Sequence, residues 1–433
     1  MFNTPTNVLI QTQQVIAPDK VYTPEQDTET VGTPEQVGMK LKDNLSRLRN
    51  RVKTLLKKPQ PVQRSPEWFA NRNTLVTASE AASCLTTSKK VCERYANLYD
   101  ISNFKYNDTK SANSYEKMND YILKKCKAFY GEKVFFDSVY TLWGKKYEQI
   151  AVNLYKRKNN TDVYDFGLLK HPYLKWLGAS PDGITPDGVM LEIKCPYSRK
   201  IKPNYVPFHY YIQVQIQLEV ALLETADFME CEIKELDTLE DYIAAGLSAG
   251  LSPPRDDESV PAGLSVGLSP PRDDESVPAG LSPPRDDENS PTHSPTHVVD
   301  PSSRRVGAKP HSGTPSRGVI VNLVEEPDNS ETKYIYQDAF DDTDPLVWAK
   351  SITDTLEADK YKLIYYHIPN YSIVTIKRDQ VWFNSVKEDI KKVHEKITFY
   401  QNNKDEFLKF VEECRLEKNK KHIDAFNSSV CLL

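Results

Sequence analysis

The stretch LGASPDGITPDGVMLEIKCP, residues 177–196, decides the fold. Thr185-Pro186-Asp187-Gly188 within it is a turn sequence: proline presets φ, aspartate bonds its own backbone, and glycine tolerates positive φ. The flanks, Ala179 to Ile184 and Val189 to Cys195, are then expected to pair as a hairpin. Side chains alternate along a strand. Met190, Glu192 and Lys194 therefore share one face, and Leu191, Ile193 and Cys195 the other. Folding back around the turn sets Asp182 opposite Glu192, to within about a residue for any common turn type. Two carboxylates and an amine meet on one small area of sheet. Paired carboxylates supply the oxygen ligands that hard cations such as Mg²⁺ take. A cation so held polarises a phosphodiester and helps generate hydroxide from water. A neighbouring lysine can steer that water or offset charge growing on the phosphate. Standing alone, an Asp…Glu-x-Lys pattern reads more plainly as a surface ion pair; three other segments shift the balance.

LWGKKYEQIAVNLYKRK, 142–158, has helical spacing, with Leu142, Ile150, Ala151 and Leu154 expected to face inward. Glu148 lies at the margin of that face and could bring a third carboxylate. PFHYYIQVQIQLEVALLET, 207–225, is apolar nearly all round, as a buried helix is. Tyr210, Gln213 and Gln217 fall on one stripe of it, and buried glutamines need partners. QRSPEWFANRNTLVTASEAA, 63–82, holds Trp68, Arg72 and Ser79. Arginine suits bidentate phosphate contact, and a serine at a helix start adds a hydroxyl and free N–H groups. Ser79 serves equally well as a helix cap, and Trp68 as core.

Outside these segments the chain changes character. Residues 1–38 are rich in Thr, Pro, Gln and Val without a period, as in a disordered arm. In 39–62 a basic amphipathic helix, with Leu41, Leu45, Leu48, Val52 and Leu55 at helical spacing, runs to a stop at Pro59 and Pro61. It is expected to dock on the body of the protein with its charges solvated; contact with DNA or a membrane surface is the alternative. Residues 63–243 read as the first part of a mixed α/β core. AGLSAGLSPPRDDESVP, 245–261, then recurs as AGLSVGLSPPRDDESVP, 262–278, and shortened from 279. These units hold too few large apolar side chains for a core, and their proline pairs block regular structure, so 244–316 is expected to be disordered. A partner of SH3 type for its PP stretches is a weak signal. Order is expected to resume over 317–433, with VIVNLVEE and KYIYQDAF as a strand pair, a helix from Pro345 capped by Asp344, a strand at YSIVTIKRD, and a long helix over VWFNSVKEDIKKVHEKITFY.

The net charge of −5 provides no global field for nucleic acid, so any DNA track must be local. Lys124, Lys125, Lys127, Lys145, Lys146, Lys194, Arg199, Lys200 and Lys202 cluster around the motifs and could form one. The seven cysteines form no CxxC pair and no zinc spacing, which points to reduced thiols and an intracellular setting. The N-terminus shows no signal peptide, and no stretch approaches ~20 apolar residues, so no membrane span is expected.

Together the motifs resemble the PD-(D/E)xK nuclease superfamily and, within it, the lambda-exonuclease and YqaJ-type viral recombinase family of phages and large DNA viruses. RSPEWFANRNTLVTAS resembles the family's W-x3-R-x6-S motif. WGKKYE resembles its acidic helix, GASPDG and LEIKCP its metal site, YYIQVQIQLEV its buried helix, ADFMECEI the following strand, and YSIVTIKRDQVWF its closing strand. The resemblance covers about 64–243 and 318–400, interrupted by the repeats.

It implies a central mixed sheet flanked by helices. It implies that Asp182, Glu192 and the Ile193 carbonyl bind Mg²⁺ (or Mn²⁺), with Glu148 added through water, that Lys194 activates or orients water, and that Gln213 assists near the scissile phosphate. Arg72, Ser79 and Ser180 would hold a 5′-terminal phosphate, with Tyr210 beside the DNA. The implied activity is 5′-to-3′ digestion of linear duplex DNA from its ends, in viral recombination or processing, within host cytoplasm or nucleus. A single-strand annealing protein is the implied partner, and family members act as monomers or ring trimers. An endonuclease or nickase on the same fold remains open, as does a DNA-binding scaffold with a dead site, since fold does not fix cleavage mode.

Overall fold

The computed structural model describes residues 34–85, 109–132, 137–248, 317–324 and 333–430. The expected arm falls outside these residues up to 33, and the repeats fall outside from 249. The basic helix, α1, spans Pro34–Lys57, beginning five residues before the expected start. Val52 and Leu55 sink into the main core. Arg51 Nε donates to the Ala221 carbonyl (2.7 Å), and Arg49 pairs with Asp187 (2.8 Å). The helix is therefore docked on the body of the protein as expected, but Arg51 is part-buried against it rather than solvated.

Helix α2, Pro66–Asn73, opens with proline in its first turn and with the Ser65 hydroxyl accepting from the Trp68 N–H. The short strand β1, Val76–Thr77, leads into a 3-10 helix, Ala78–Cys84, whose flanking position is Thr77, so Ser79 is no cap. Helix α3 is Thr109–Phe129. Helix α4, Val139–Asn159, starts with a reciprocal capping box between Ser138 and Thr141. Its Ile150, Ala151 and Leu154 are buried as expected, but Leu142 is 52% exposed. Leu142 sits in the first turn, where the helical period carries it away from the sheet that covers the later turns.

Two sheets follow. β1 pairs with β3 (Leu177–Ala179), which also takes β2 (Leu169–Lys170). The larger sheet has the order β4-β5-β6-β9-β7-β8, where β4 is Gly183–Ile184, β5 Val189–Lys194, β6 Thr225–Leu236, β7 Arg317–Leu323, β8 Lys333–Ile335 and β9 Tyr361–Lys377. β5 and β6 run parallel, and the other neighbours antiparallel. Strands from both sides of residues 249–316 thus share one sheet. The expected first hairpin arm, Ala179 to Ile184, is divided: Ala179 belongs to the small sheet, and only Gly183–Ile184 pairs with β5. Ser180-Pro181 makes the corner between them.

Helices cover both faces of the larger sheet. Leu191, Ile193 and Cys195 pack with Tyr147, Ile150 and Leu154 of α4. Met190, Ala226 and Phe228 pack on the other face with α5, Phe208–Ala221. α6 is Leu239–Ser248, so the first residues assigned to the repeats are helical. Near it α7, Pro345–Thr353, is capped as expected, Asp344 accepting from Leu346 N (2.9 Å). α8, Gln380–Asn402, and α9, Lys404–Val430, close the chain. β9 is 17 residues long, extending well before the expected YSIVTIKRD. Pro369 lies within it, where the register against β6 slips between Glu232 and Lys234. A bulge of this kind accommodates a proline that regular pairing would exclude. The five described cysteines are buried and free; Cys92 and Cys431 lie outside the described residues.

Candidate active site

Gly183 faces Leu191 across the β4–β5 pair, which carries Asp182 opposite Glu192. The turn forms as its residues require, with Gly188 at φ +82° and its N–H donating to the Thr185 carbonyl (2.9 Å). The Ile193 N–H donates to Asp182 Oδ2 (2.6 Å). In a strand the N–H and C=O of one residue point the same way, so the Ile193 carbonyl is also turned towards Asp182.

Glu192 is 1% exposed and fully engaged. Lys194 Nζ and Gln213 Nε2 (2.6 Å) both reach Oε1, and Gln217 Nε2 reaches Oε2 (2.6 Å). Gln213 and Gln217 are one turn apart on α5, which explains their shared stripe. The sequence showed that stripe but not its partner, and Gln217 is a site residue that motif reasoning left out. Lys194 Nζ also lies 4.9 Å from the Tyr210 ring centroid. Glu148 approaches from α4 and meets Arg64 Nη2 at 3.6 Å. Arg64, a loop residue at φ 67°, carried no signal in the sequence.

The charges do not balance. Burial first, then the Glu192 and Glu148 carboxylates, hold the Asp182 carboxyl well above its usual range. Burial likewise raises Glu148, although Arg64 and Lys194 oppose it. For Lys194 burial works downward, but the carboxylates of Glu192 and Asp182 more than reverse it, so its ammonium is retained far into the alkaline range. Among the described residues no three His, Cys, Asp or Glu side chains stand at metal-holding spacing. The excess of buried carboxylate nevertheless suits a hard divalent cation. So does Gln217 Oε1, which is buried without a hydrogen-bond partner among the described residues and could accept a hydrogen bond from a cation's water.

The second cluster lies at the other end of the Ser180-Pro181-Asp182 corner. Trp68 Nε1 donates to Ser180 Oγ (3.0 Å), and the Arg72 guanidinium stacks 4.4 Å from the Trp68 ring. Arg72 Nη2 donates to Ser79 Oγ (3.3 Å) and pairs with Glu80 (3.4 Å). Glu80 also meets Lys125 Nζ (2.8 Å) and the Thr77 hydroxyl (2.5 Å). Burial pushes the Glu80 carboxyl up, but Lys125 and Arg72 outweigh it and bring it down to about 2. Lys125, more deeply buried, is pulled down by desolvation despite Glu80. Neither Glu80 nor Lys125 stood out in the sequence as part of this pocket.

The structure alters the expected basic track. Lys125 is buried against Glu80; Lys127 meets Glu132, Lys145 meets Asp137, Lys146 meets Glu235 and Arg199 meets Glu230. Most of these cations are already paired, so an incoming phosphate must compete for them.

Residues 67–224 match the YqaJ-like viral recombinase domain. The resemblance read from the motifs is borne out over this segment, which holds Arg72, Ser79, Glu148, Ser180, Asp182, Glu192, Lys194, Tyr210 and Gln213. The matched segment thus spans both clusters, while α1 and the strands from β6 onward lie outside it. The "Uncharacterized protein R354" of Acanthamoeba polyphaga mimivirus is 37% identical over 126 residues, 25% of this chain and 23% of that protein. The chain thus matches about a quarter of that relative's length. Among solved structures, the alkaline exonuclease LHK-Exo from Laribacter hongkongensis is 26% identical, covering 39% of this chain and 74% of its own, with a TM-score of 0.28. A phage related exonuclease from Haemophilus somnus 129PT is 15% identical over 36% of this chain and 68% of its own, with a TM-score of 0.27. No helix among the described residues is long and apolar enough to cross a membrane.

Proposed function

We propose that the chain is a divalent-metal-dependent deoxyribonuclease that digests linear duplex DNA from its ends, 5′ to 3′, in recombination or processing of viral DNA. The observation that carries this reading is the meeting of Asp182, Glu192 and Lys194 on one hairpin, with Gln213 and Gln217 fixing both oxygens of Glu192. Asp182, Glu192 and the Ile193 carbonyl would hold Mg²⁺ or Mn²⁺, and Glu148 would act through water. When bound, the cation polarises the phosphodiester and makes water a better nucleophile at neutral pH.

The side chains divide the remaining work. Lys194, kept protonated by its carboxylate neighbours, offsets charge that grows on the phosphate. Gln213 holds Glu192 in place and lies beside the attacked group. Arg72, Ser79 and Ser180 would grip a terminal 5′ phosphate, with Trp68 fixing the arginine's plane. Tyr210 would flank the strand next to Lys194. Ser180 and Asp182 are two residues apart, at most about 7 Å of chain. Such a short gap favours release of single nucleotides. An annealing protein as partner and a monomeric or ring-trimer state follow from the family resemblance.

The test incubates the full chain and Mg²⁺ with linear duplexes bearing a 5′ phosphate or a 5′ hydroxyl, and with closed circular DNA. Mononucleotide release from linear DNA alone, faster with the phosphate, is expected. Nicking of the circle would instead assign an endonuclease, and binding without cutting would assign a scaffold.

A further inference from the structure

Three aromatic side chains beside the acid hairpin are left unused by this account. Tyr140 and Tyr197 are 66% and 50% exposed. Their rings meet edge to face at 5.7 Å between centroids, and Trp143 meets Tyr197 the same way at 5.1 Å. Trp143 is anchored from below by the fully buried Tyr147, 4.6 Å away. The Trp143 indole N–H has no acceptor among the described residues. Val139 and Leu142, both more than half exposed, widen this apolar surface. Contiguous exposed apolar surface of this kind marks an interaction site.

Its position selects the occupant. Trp143 precedes Glu148 by five residues on α4, about 7.5 Å along the helix axis. Tyr197 follows Lys194 by three residues, at most about 11 Å of chain. Both elements that carry the aromatics therefore also carry residues of the acid site. Residues 193–202, IKCPYSRKIK, hold four cations and no acid; Lys194 and Arg199 meet Glu192 and Glu230, and the sum with those two acids is still positive, which complements a polyanion. Glu192 is buried and Asp182 half-buried, and a strand freed from its duplex partner can follow a narrower path to them than a duplex can. Freed bases lose their stacking partners, and aromatic rings replace them without regard to sequence.

We propose that Tyr140, Trp143 and Tyr197 form a stacking platform for the unpaired bases of the DNA strand. The proposal rests on the reading that the chain acts on DNA, and the test separates the two.

Binding is measured by fluorescence anisotropy, in chelator, with a short deoxythymidine strand and an abasic strand of the same length. The paired change Tyr140→Ala with Tyr197→Ala is expected to weaken binding of the base-bearing strand about tenfold and leave the abasic strand unchanged. Tyr140→Phe with Tyr197→Phe restores wild-type binding, because the rings remain. The base-bearing strand quenches tryptophan fluorescence in the wild type, and Trp143→Phe removes that quench. Equal weakening on both strands would mean phosphate contacts and would overturn the platform. So would unchanged strand binding accompanied by altered self-association in sedimentation, which would make the surface a protein interface. Because no cutting is required, the contrast between strands stands even for a chain that never cleaves DNA; failure of the nuclease reading appears only in the cleavage assay.

Discussion

The acid hairpin and the Arg72 pocket lie at opposite ends of one three-residue corner, and both bury charge. In the pocket, Glu80 sits between two cations and its carboxyl is held down to about 2. At the hairpin, Asp182 sits among carboxylates, and its carboxyl is held well above the usual range. The first site keeps one cation in excess of its single acid, a surplus that suits an anion. The second carries a surplus of one sign, which an external cation would relieve. Net local charge, rather than burial, separates a site suited to an anion from one suited to a cation.

The largest effect on this contrast should come from Glu192→Gln. It keeps the volume but removes a ligand and the partner of Lys194, and cleavage should fall by at least about a hundredfold. Release of acid-soluble nucleotides measures it; unimpaired cleavage would refute the assigned site. Asp182→Asn should remove the surplus itself. An acid whose folded value is raised destabilises the fold once pH exceeds its unfolded value, and fully above the folded one. At neutral pH the metal-free variant should therefore melt a few degrees higher than wild type, since about 1 kcal/mol moves a domain of this size by about 2–4 °C. It should also lose any Mg²⁺-induced rise in melting temperature. A lower metal-free melting point would contradict the reading of Asp182 as strained by like charge.

Within the cationic pocket the effects should be smaller. Arg72→Ala should reduce the preference for 5′-phosphorylated over 5′-hydroxyl ends about tenfold, with little change on the hydroxyl substrate. Equal loss on both ends would make Arg72 merely structural. Glu80→Gln should alter the acid limb of stability. A depressed carboxyl contributes stability above its unfolded value of 4.5, and that contribution fades as pH falls from there towards about 2. The variant should be less stable at pH 7 and lose less between pH 5 and pH 3, as followed by circular dichroism. The smallest effect belongs to Arg49→Ala. Its pair with Asp187 is largely exposed, and such pairs contribute under about 1 kcal/mol.

Much of the hairpin was legible because its signals are local. The turn sequence and the two-residue strand period together bring Asp182, Glu192 and Lys194 to one place. The helical period put Gln213 and Gln217 on one stripe. What the sequence hid depends on contacts between distant segments. Lys125 looked like a free cation until α3 folded against the 3-10 helix and gave it Glu80. Arg64 meets Glu148 across 84 residues without any pattern to announce it. The first half of β9 was hidden for another reason: Pro369 reads as a strand breaker, and only the slipped register against β6 shows how it is tolerated.

The repeats enter and leave the fold at neighbouring points. The Arg317 guanidinium, at the start of β7, lies 4.5 Å from the ring centroid of Tyr242 in α6 and donates to that residue's carbonyl (2.6 Å). With its ends fixed so close together, a connection gains little entropic penalty as it lengthens, roughly 0.6 kcal/mol per doubling. Slippage during replication can therefore add or delete a 17-residue unit, such as 245–261, without shifting one strand register. Isolates that differ in copy number there should share the same folded body, and the same junction offers a place to splice in a reporter domain.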